Sequence, residues 1–427
     1  MKKYLKESIK YLLRSEFVIR KYIDKIERLY EMTPKELEKR NEIEFIKIFR
    51  RAYEESPFYR NLYNNAGIRK EDISCLGDIK KLPVITKSDI KEHTDELLIV
   101  PKWRVIVNHT SGTTGSPLKV YEDWSSIWRE QAYLYCYRKR CGFTYGQPLV
   151  SLRGNLKKSD IYLKVHVSNT LFLSSYNINQ KNVKIYYQQI IKHKPIAIEG
   201  YPSSLYALAL LLRDNNMYLN IPLAFTSSET LLDYQRSLIE NQMNTNIYDF
   251  YGNTERTIQL CENVNHNGYY ESPGYSINEF VEDGEITTSL INESFPLIRY
   301  KGNDVMELSE EGKTHRVKRI QGRKSSCLIG KDGSRYSSAL LTRVFKDIVT
   351  IDEAQFVQKK LGIVDLNVVV GNKFSDSDMQ SLRDAVEFQL GARNFDLKIR
   401  KVSKNDLIYS KSGKFNYILN LMPETWG

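Results

Sequence analysis

No stretch of this chain approaches the ~20 consecutive apolar residues that a membrane-spanning helix needs. The opening thirty residues, MKKYLKESIKYLLRSEFVIRKYIDKIERLY, are broken by charges throughout and lack the apolar centre of a secretory signal. Cysteine is sparse. Cys75, Cys136, Cys141, Cys261 and Cys327 are scattered, odd in number and form no CxxC pair. That pattern argues against a disulfide framework and for a reducing, cytoplasmic setting. Internal repeats and low-complexity segments are absent as well. Acidic residues are the minority charge, 52 against 63 basic ones, for a net charge of +11. An excess of this size fits either polyanion binding or a solvated basic surface. No basic run is interleaved with stacking aromatics as a nucleic-acid groove requires, so nucleic acid is not an expected partner. Basic residues do outnumber acidic ones in the first thirty positions. A weak contact with an acidic membrane surface is therefore open to an amphipathic helix there, although the ordinary fate of such a helix is to pack onto its domain.

What is present is the composition of a globular protein with a large core. The 427 residues are 41% hydrophobic and 27% charged, and the length suits roughly two to three domains. Residues 1–50 carry apolar positions at helical spacing, with a break expected at Thr33-Pro34. A short helix is expected over 55–68, and the strand-like 103-WRVIVNHT-110 follows. Strand-length apolar runs then alternate with helical segments. They run through 195-PIAIEGY-201, 203-SSLYALALLLRDNN-216, 221-IPLAFTSSE-229, 233-DYQRSLIENQM-243 and 246-NIYDFYGNTE-255. Such alternation predicts an α/β layered domain. A hairpin is expected within 268–290, turning at Asp283-Gly284. Beyond 319-RIQGR-323 a strand over 364–371 and a helix over 376–390 predict a small α+β domain of about a hundred residues. The expected fold is thus α/β: a large layered N-terminal domain, 1–322, with 1–50 as a helical lead-in, and a small mobile α+β C-terminal domain, 323–427.

The most distinctive stretch is 109-HTSGTTGSPLKV-120. Counted from Gly112, Pro117 stands where GxxxxGK[ST] needs glycine, so this is not a Walker loop. It can still bind phosphate. Gly112 and Gly115 let backbone N–H groups approach, the hydroxyls of Ser111, Thr113 and Thr114 can donate, and Lys119 could add charge. A plain Gly/Ser/Thr turn is the bland alternative. His109 either orients a substrate carboxylate or caps the strand.

Other motifs accompany it: 56-SPFYRNLYNNAGI-68, 82-LPVITKSDIKEH-93, 226-TSSE-229, 251-YGNTE-255, 299-RYKGND-304, 319-RIQGR-323 and 410-SKSGKF-415. With the loop 111–119, their identity and order resemble the adenylate-forming (AMP-binding) ligases. The closest resemblance is to the phenylacetate–CoA ligase-like branch that includes capsular polysaccharide biosynthesis proteins, and it runs over nearly the whole chain. It implies ATP and Mg²⁺ as cofactors, a small carboxylic acid as substrate, and CoA or another acyl acceptor. The loop would grip pyrophosphate, and Ser228 and Glu229 would lie at adenine. Tyr251 would stack on the purine beside Gly252, Thr254 would bond the α-phosphate, and Glu255 would hold Mg²⁺. Asp304 and Arg323 would reach the ribose, and Lys414 would be the mobile catalytic lysine, meeting negative charge in the transition state. In the family the small domain rotates near the arginine between two catalytic states.

Several positions depart from the family's pattern. Lys119 falls one residue later than in many relatives, Ser227-Ser228-Glu229 replaces the commoner Gly-Ala-Glu, and Ser325 stands at the hinge where an acidic residue is frequent. Cys261 and His266 could be zinc ligands, but two are short of a closed four-ligand site. The acceptor is open between CoA, a sugar amine or hydroxyl, and a carrier. The 29 tyrosines and 200-GYPSSLY-206 could line an acyl pocket or fill ordinary core. The rival reading is a non-catalytic nucleotide-binding assembly component of a polysaccharide system, against which Glu255, Asp304 and Lys414 together count.

Overall fold

In the computed structural model three helices open the chain: α1 (Lys2–Leu13), α2 (Glu16–Glu31) and α3 (Pro34–Glu55). The break at Thr33-Pro34 falls where the sequence predicts it. Thr33 and Glu36 close a capping box, and Pro34 sits in the first turn, where its missing N–H costs nothing. A further break at Arg14-Ser15, which the spacing of apolar residues does not announce, separates α1 from α2. The short helix α4 (Pro57–Asn65) follows, then β1 (Val105–His109), β2 (Lys119–Asp123) and α5 (Trp124–Arg140). The alternating segment contributes β3 (Ala197–Gly200), α6 (Pro202–Asp214), β4 (Leu223–Ser227), α7 (Asp233–Met243) and β5 (Asn246–Gly252). After it come β6 (Gln259–Glu262), β7 (Tyr269–Glu271), β8 (Ser276–Val281), β9 (Gly284–Ser289), β10 (Tyr300–Lys301), β11 (Asp304–Leu308) and β12 (Val317–Arg323). The last part of the chain holds β13 (Ile351–Lys360), β14 (Ile363–Val370), α8 (Asp376–Leu390), β15 (Asp396–Lys401) and β16 (Ile418–Asn420).

The structure describes residues 2–109, 118–152, 156, 160–281, 284–310, 316–323, 327–336, 341–345, 348, 350–390, 394–409 and 415–422. Among these, no helix is long and apolar enough to cross a membrane. The chain divides into two compact units whose segments interleave: residues 1–149, 164–171 and 248–319 form the first, and 150–163, 172–247 and 320–427 the second.

In the first unit the strands follow the order β11-β12-β7-β6-β5, with antiparallel pairing at β5–β6, β6–β7 and β7–β12. A second sheet runs β8-β9-β10, and its first two strands form the expected hairpin, paired from Ser276↔Ser289 to Val281↔Gly284. β1 and β2 form a two-stranded antiparallel ribbon. One core packs α3 and α4, through Phe45, Phe49, Tyr59 and Tyr63, against Leu118, Val120, Phe295 and Leu297. A second packs Ile19, Ile23, Ile26 and Leu29 of α2 against Ala132, Tyr133 and Cys136 of α5. Tyrosine is a major core residue: Tyr59, Tyr63, Tyr121, Tyr137 and Tyr275 are all nearly inaccessible.

In the second unit β3 and β4 pair in parallel, with α6 as the crossover between them. Parallel pairing requires such a connection. The two strands are almost continuously buried, with Glu199 alone of their residues partly exposed, as strands covered on both faces are. The C-terminal part forms a four-stranded sheet in the order β15-β14-β13-β16, and its core gathers Phe356, Leu366, Val368, Leu382 and Val386. Mixed α/β structure with a large N-terminal part and a small C-terminal part therefore stands as the sequence predicts it.

Candidate active site

The site residues of the first unit gather around the turn after β5. β5 pairs with β6 through Tyr251↔Leu260 and Gly252↔Gln259. The connection between them is tight because Asn253 closes it. The Asn253 amide donates to Thr257 Oγ1 at 2.7 Å, and its carbonyl oxygen accepts from the Thr257 N–H at 2.9 Å. Asparagine in YGNTE therefore builds the turn that carries Thr254 and Glu255. Glu255 is buried, and its Oε1 accepts the Tyr300 hydroxyl at 3.2 Å.

Tyr251 projects towards the start of β11. Its hydroxyl donates to Asp304 Oδ2 and lies 3.3 Å from Glu285 Oε1. Burial raises the Tyr251 phenol pKa, and the neighbouring Asp304 and Glu285 raise it further, so the hydroxyl stays a donor. Gly302 explains itself here. A Cβ at that position would run into the Glu285 carboxylate, while the Gly302 N–H donates to the Glu285 carbonyl at 2.8 Å. The Gly302-Asn303 step thus lets β11 start with Asp304 facing the tyrosine. Glu285 itself is almost fully buried, and its Oε2 has no hydrogen-bond partner among the described residues. Burial first, and then the like charge of Asp304, push its carboxyl pKa well above the carboxylate range.

Arg256, the residue after Glu255, takes a left-handed backbone with φ +58°. Bulky residues avoid that region, and it marks a position held by its surroundings. The holding groups are evident. Arg256 Nε donates to Glu122 Oε1 at 2.6 Å, Nη1 donates to Glu130 Oε1 at 2.9 Å, and the Arg256 carbonyl accepts from Ser289 Oγ at 2.7 Å. Burial works against the Arg256 charge, but Glu130 and Glu122 outweigh it and hold the guanidinium firmly protonated. Glu122 is on β2 and also accepts from Asn108 on β1. The guanidinium thus ties the YGNTE turn to the ribbon that carries the phosphate loop.

That ribbon ends in the pair His109↔Lys119. Ser111, Gly112, Thr113, Thr114 and Gly115 belong to the connection between the two strands and lie outside the described residues. The His109 side chain is exposed. Lys119 Nζ sits 3.8 Å from Asp95 Oδ1 and 4.5 Å from the centre of the Tyr121 ring. Cys261 is buried, its thiol pKa pushed up to about 12 by burial, and its Sγ lies 3.5 Å from Ser272 Oγ. His266 packs at a tilt against the Tyr248 ring, with Nδ1 3.5 Å from Glu262. Among the described residues no group of three or more His, Cys, Asp or Glu side chains could hold a metal ion.

In the second unit, Ser228 follows β4 in a left-handed conformation, φ +72°. Glu229 spans two segments. Its Oε2 accepts from the Ser203 N–H at the start of α6 at 3.0 Å, and its Oε1 accepts from the Phe415 N–H at 3.0 Å. A carboxylate at a helix start is favoured by the unsatisfied N–H groups there. Phe415 directly follows Lys414, and Tyr409 bridges to Phe415, which closes the ends of the segment 410–414. Lys414 and Ser325 lie outside the described residues, and of Arg323 only the backbone is described, at the end of β12. Tyr206 of 200-GYPSSLY-206 is buried edge-on against Tyr234, a core position.

Tyr251, Gly252, Thr254, Glu255 and Asp304 are therefore brought together, and Ser228, Glu229 and the residue after Lys414 form a second group. Sequence reasoning missed Glu285, Tyr300, Arg256 and Glu122. Glu285 lies within the expected hairpin and Tyr300 within the motif 299-RYKGND-304, and neither has a spacing that marks it as a site residue. Arg256 directly follows a motif, and Glu122 lies two residues past the quoted stretch 109–120.

Comparisons with known proteins show what the chain as a whole resembles. The model of the CapK C-terminal domain matches residues 328–421. Protein CapK of Staphylococcus aureus is 26% identical over 397 residues, covering 87% of this chain and 86% of its own length. The phenylacetate–coenzyme A ligase of Pseudomonas putida is 25% identical over 325 residues, covering 69% of this chain and 72% of its own. Among solved structures, a 2-hydroxyisobutyryl-CoA ligase in the postadenylation state, in complex with R3-HIB-AMP, superposes with a TM-score of 0.71. It is 18% identical, over 91% of this chain and 90% of that one, and it shares the fold. The chain is thus similar over most of its length to CapK and to a phenylacetate–coenzyme A ligase, its residues 328–421 match the CapK C-terminal domain, and its fold is that of the 2-hydroxyisobutyryl-CoA ligase.

Proposed function

We propose that this protein activates a small carboxylic acid with ATP and passes the acyl group to CoA or another acceptor, in surface polysaccharide biosynthesis. One observation carries the reading: Tyr251 holds Asp304 at the start of β11 while the adjoining turn carries Thr254 and Glu255. An aromatic ring, a hydroxyl and two carboxylates in one place suit a nucleotide, and the ring need not leave Asp304 to present its face to a purine. Asp304 accepts the ribose hydroxyls together with Arg323, and Ser228 and Glu229 contribute to the adenine side. A buried carboxylate oriented by a phenol is a hard oxygen donor of the kind Mg²⁺ prefers, so Glu255 is the residue to hold the ion. When bound, Mg²⁺ supplies charge neutralisation for the departing pyrophosphate.

The substrate carboxylate oxygen attacks the α-phosphorus. The bond to the bridging oxygen of pyrophosphate breaks, leaving acyl-adenylate and pyrophosphate. Thr254 donates to the α-phosphate. The loop Ser111–Gly115, with Lys119 beside it, receives the charge of the leaving group. Lys414 stabilises the negative charge that builds at the attacked centre. The domain division at 322/323, with Ser325 as pivot, belongs to the same reading, as does a cytoplasmic setting, which the scattered cysteines support.

The test is ATP–pyrophosphate exchange against a panel of carboxylic and amino acids. Exchange with at least one acid is expected, and Lys414→Ala should abolish it while ATP binding stays nearly intact. Tight ATP binding with no exchange for any acid would favour the assembly-component reading instead.

A further inference from the structure

α1 packs onto the first unit with its polar side inward. Ser8 is buried, and Tyr4, Glu7 and Tyr11 are half-buried. The Tyr11 ring stacks on Tyr145, centroids 4.9 Å apart and planes within 7°. The end of the helix is pinned by the Trp128 indole N–H, which donates to the Leu13 carbonyl at 2.9 Å. The apolar residues point the other way. Leu5 is 60% exposed, Ile9, Leu12 and Leu13 are also exposed, and Phe17, in the first turn of α2, is 91% exposed. At 100° per residue, Leu5, Ile9, Leu12 and Leu13 fall within an arc of about 100°. Exposed Lys6 and Lys10 run along one flank of that arc.

This is the reverse of α2, which buries Ile19, Ile23, Ile26 and Leu29 and leaves its charged residues outside. The outward apolar arc of α1 is therefore not shared by α2, the helix that follows it. It costs hydration that packing could have removed. The charge beside it selects the occupant. The first thirty residues hold nine Lys and Arg against four Asp and Glu. A second copy docked about a two-fold axis would bring the same excess of lysines against this one. An anionic lipid surface would instead neutralise it, and the flanking lysines can reach the headgroups while the apolar arc sinks below them.

We propose that α1 and Phe17 form an interfacial anchor that seats the protein on an anionic membrane surface, lying in the plane of the interface. The proposal rests on no part of the ligase reading. The full chain should co-sediment with phosphatidylcholine vesicles containing phosphatidylglycerol and not with pure phosphatidylcholine vesicles, and raised salt should weaken the binding. Replacing the arc by Leu5→Ser, Ile9→Ser, Leu12→Ser and Phe17→Ser should lower the partition by at least about tenfold, with ATP–pyrophosphate exchange unchanged. Equal binding to both kinds of vesicle, or undiminished binding by the variant, would overturn it. So would a wild-type dimer in sedimentation equilibrium that the variant loses, because the occupant would then be a second copy. Phe17→Trp gives a reading that does not depend on disrupting the helix. Its extra fluorescence over wild type should shift to the blue with anionic vesicles, and an unshifted emission counts against the anchor.

Discussion

Two groups of buried and half-buried acidic side chains lie around the turn at residues 252–256, and they are held in different ways. Glu122 and Glu130 share the guanidinium of Arg256. Glu255 takes the hydroxyl of Tyr300, and Asp304 takes the hydroxyl of Tyr251 with Glu285 beside it. A guanidinium cancels charge and fixes two carboxylates in one rigid fork. A phenol orients a carboxylate and does not cancel its charge. The first arrangement sets shape, because it ties the ribbon β1–β2 and helix α5 to the turn. The second suits chemistry, because an oriented carboxylate still attracts a cation or a sugar hydroxyl. The polypeptide changes from one role to the other between consecutive residues, Glu255 and Arg256.

The comparison makes a graded set of expectations. If Glu255 is on the chemical side, Glu255→Gln should leave the fold intact and lower ATP–pyrophosphate exchange by about 10²–10³-fold. The Mg²⁺ concentration for half-maximal exchange should rise, which a purely structural acid would not cause. If Arg256 is on the structural side, Arg256→Ala should act chiefly on stability. It strands two carboxylates of which Glu122 is fully buried, and breaking such a pair costs about 3–5 kcal/mol. Urea unfolding measures this directly. Arg256→Lys should recover only part, since one ammonium cannot reproduce the fork. A loss of exchange with unfolding unchanged would move Arg256 to the chemical side. Tyr300→Phe is a smaller change. It removes one hydroxyl from Glu255, worth roughly 1–2 kcal/mol. It should raise the Mg²⁺ requirement severalfold and leave the melting curve close to wild type.

How much of this was legible in the sequence depends on how far the partners lie apart along the chain. The βα alternation from 195 to 255 is local, and the elements appear where apolar period and breakers put them. The break at Thr33-Pro34 is announced by its own residues. The break at Arg14-Ser15 is not, because neither residue is a strong helix breaker, and its cause is the anchoring of Leu13 by Trp128, 115 positions away. The same holds at the site. Tyr251, Glu255 and Asp304 are found through motifs. Arg256 looks like any surface arginine until Glu122 and Glu130, 134 and 126 residues away, are brought to it. Glu285 reads as a hairpin residue, and only the space left by Gly302 shows where it points. The direction α1 faces is the clearest case: period shows an apolar arc, but which side meets the protein is decided by Tyr145 and Trp128.

The smallest expected effect falls on Glu285, which sits on the chemical side without evident access to a ligand. Burial and then the charge of Asp304 raise its carboxyl pKa. The native protein therefore keeps this proton over a range in which the unfolded chain has already released it. The stability connected with the group is fully present below the unfolded value and is lost as pH rises towards the folded one. Glu285→Gln replaces a neutral acid by a neutral amide of similar shape and removes that titration. At acidic pH the two proteins should unfold at nearly the same urea concentration. As pH rises above the ordinary carboxylate range, the variant should gain on the wild type by at least about 1 kcal/mol. Parallel curves across the range would mean that Glu285 ionises like a surface acid. The carboxylate cluster would then carry one more negative charge than the tyrosine-held arrangement implies, and the contrast with the Arg256 side would be sharper still.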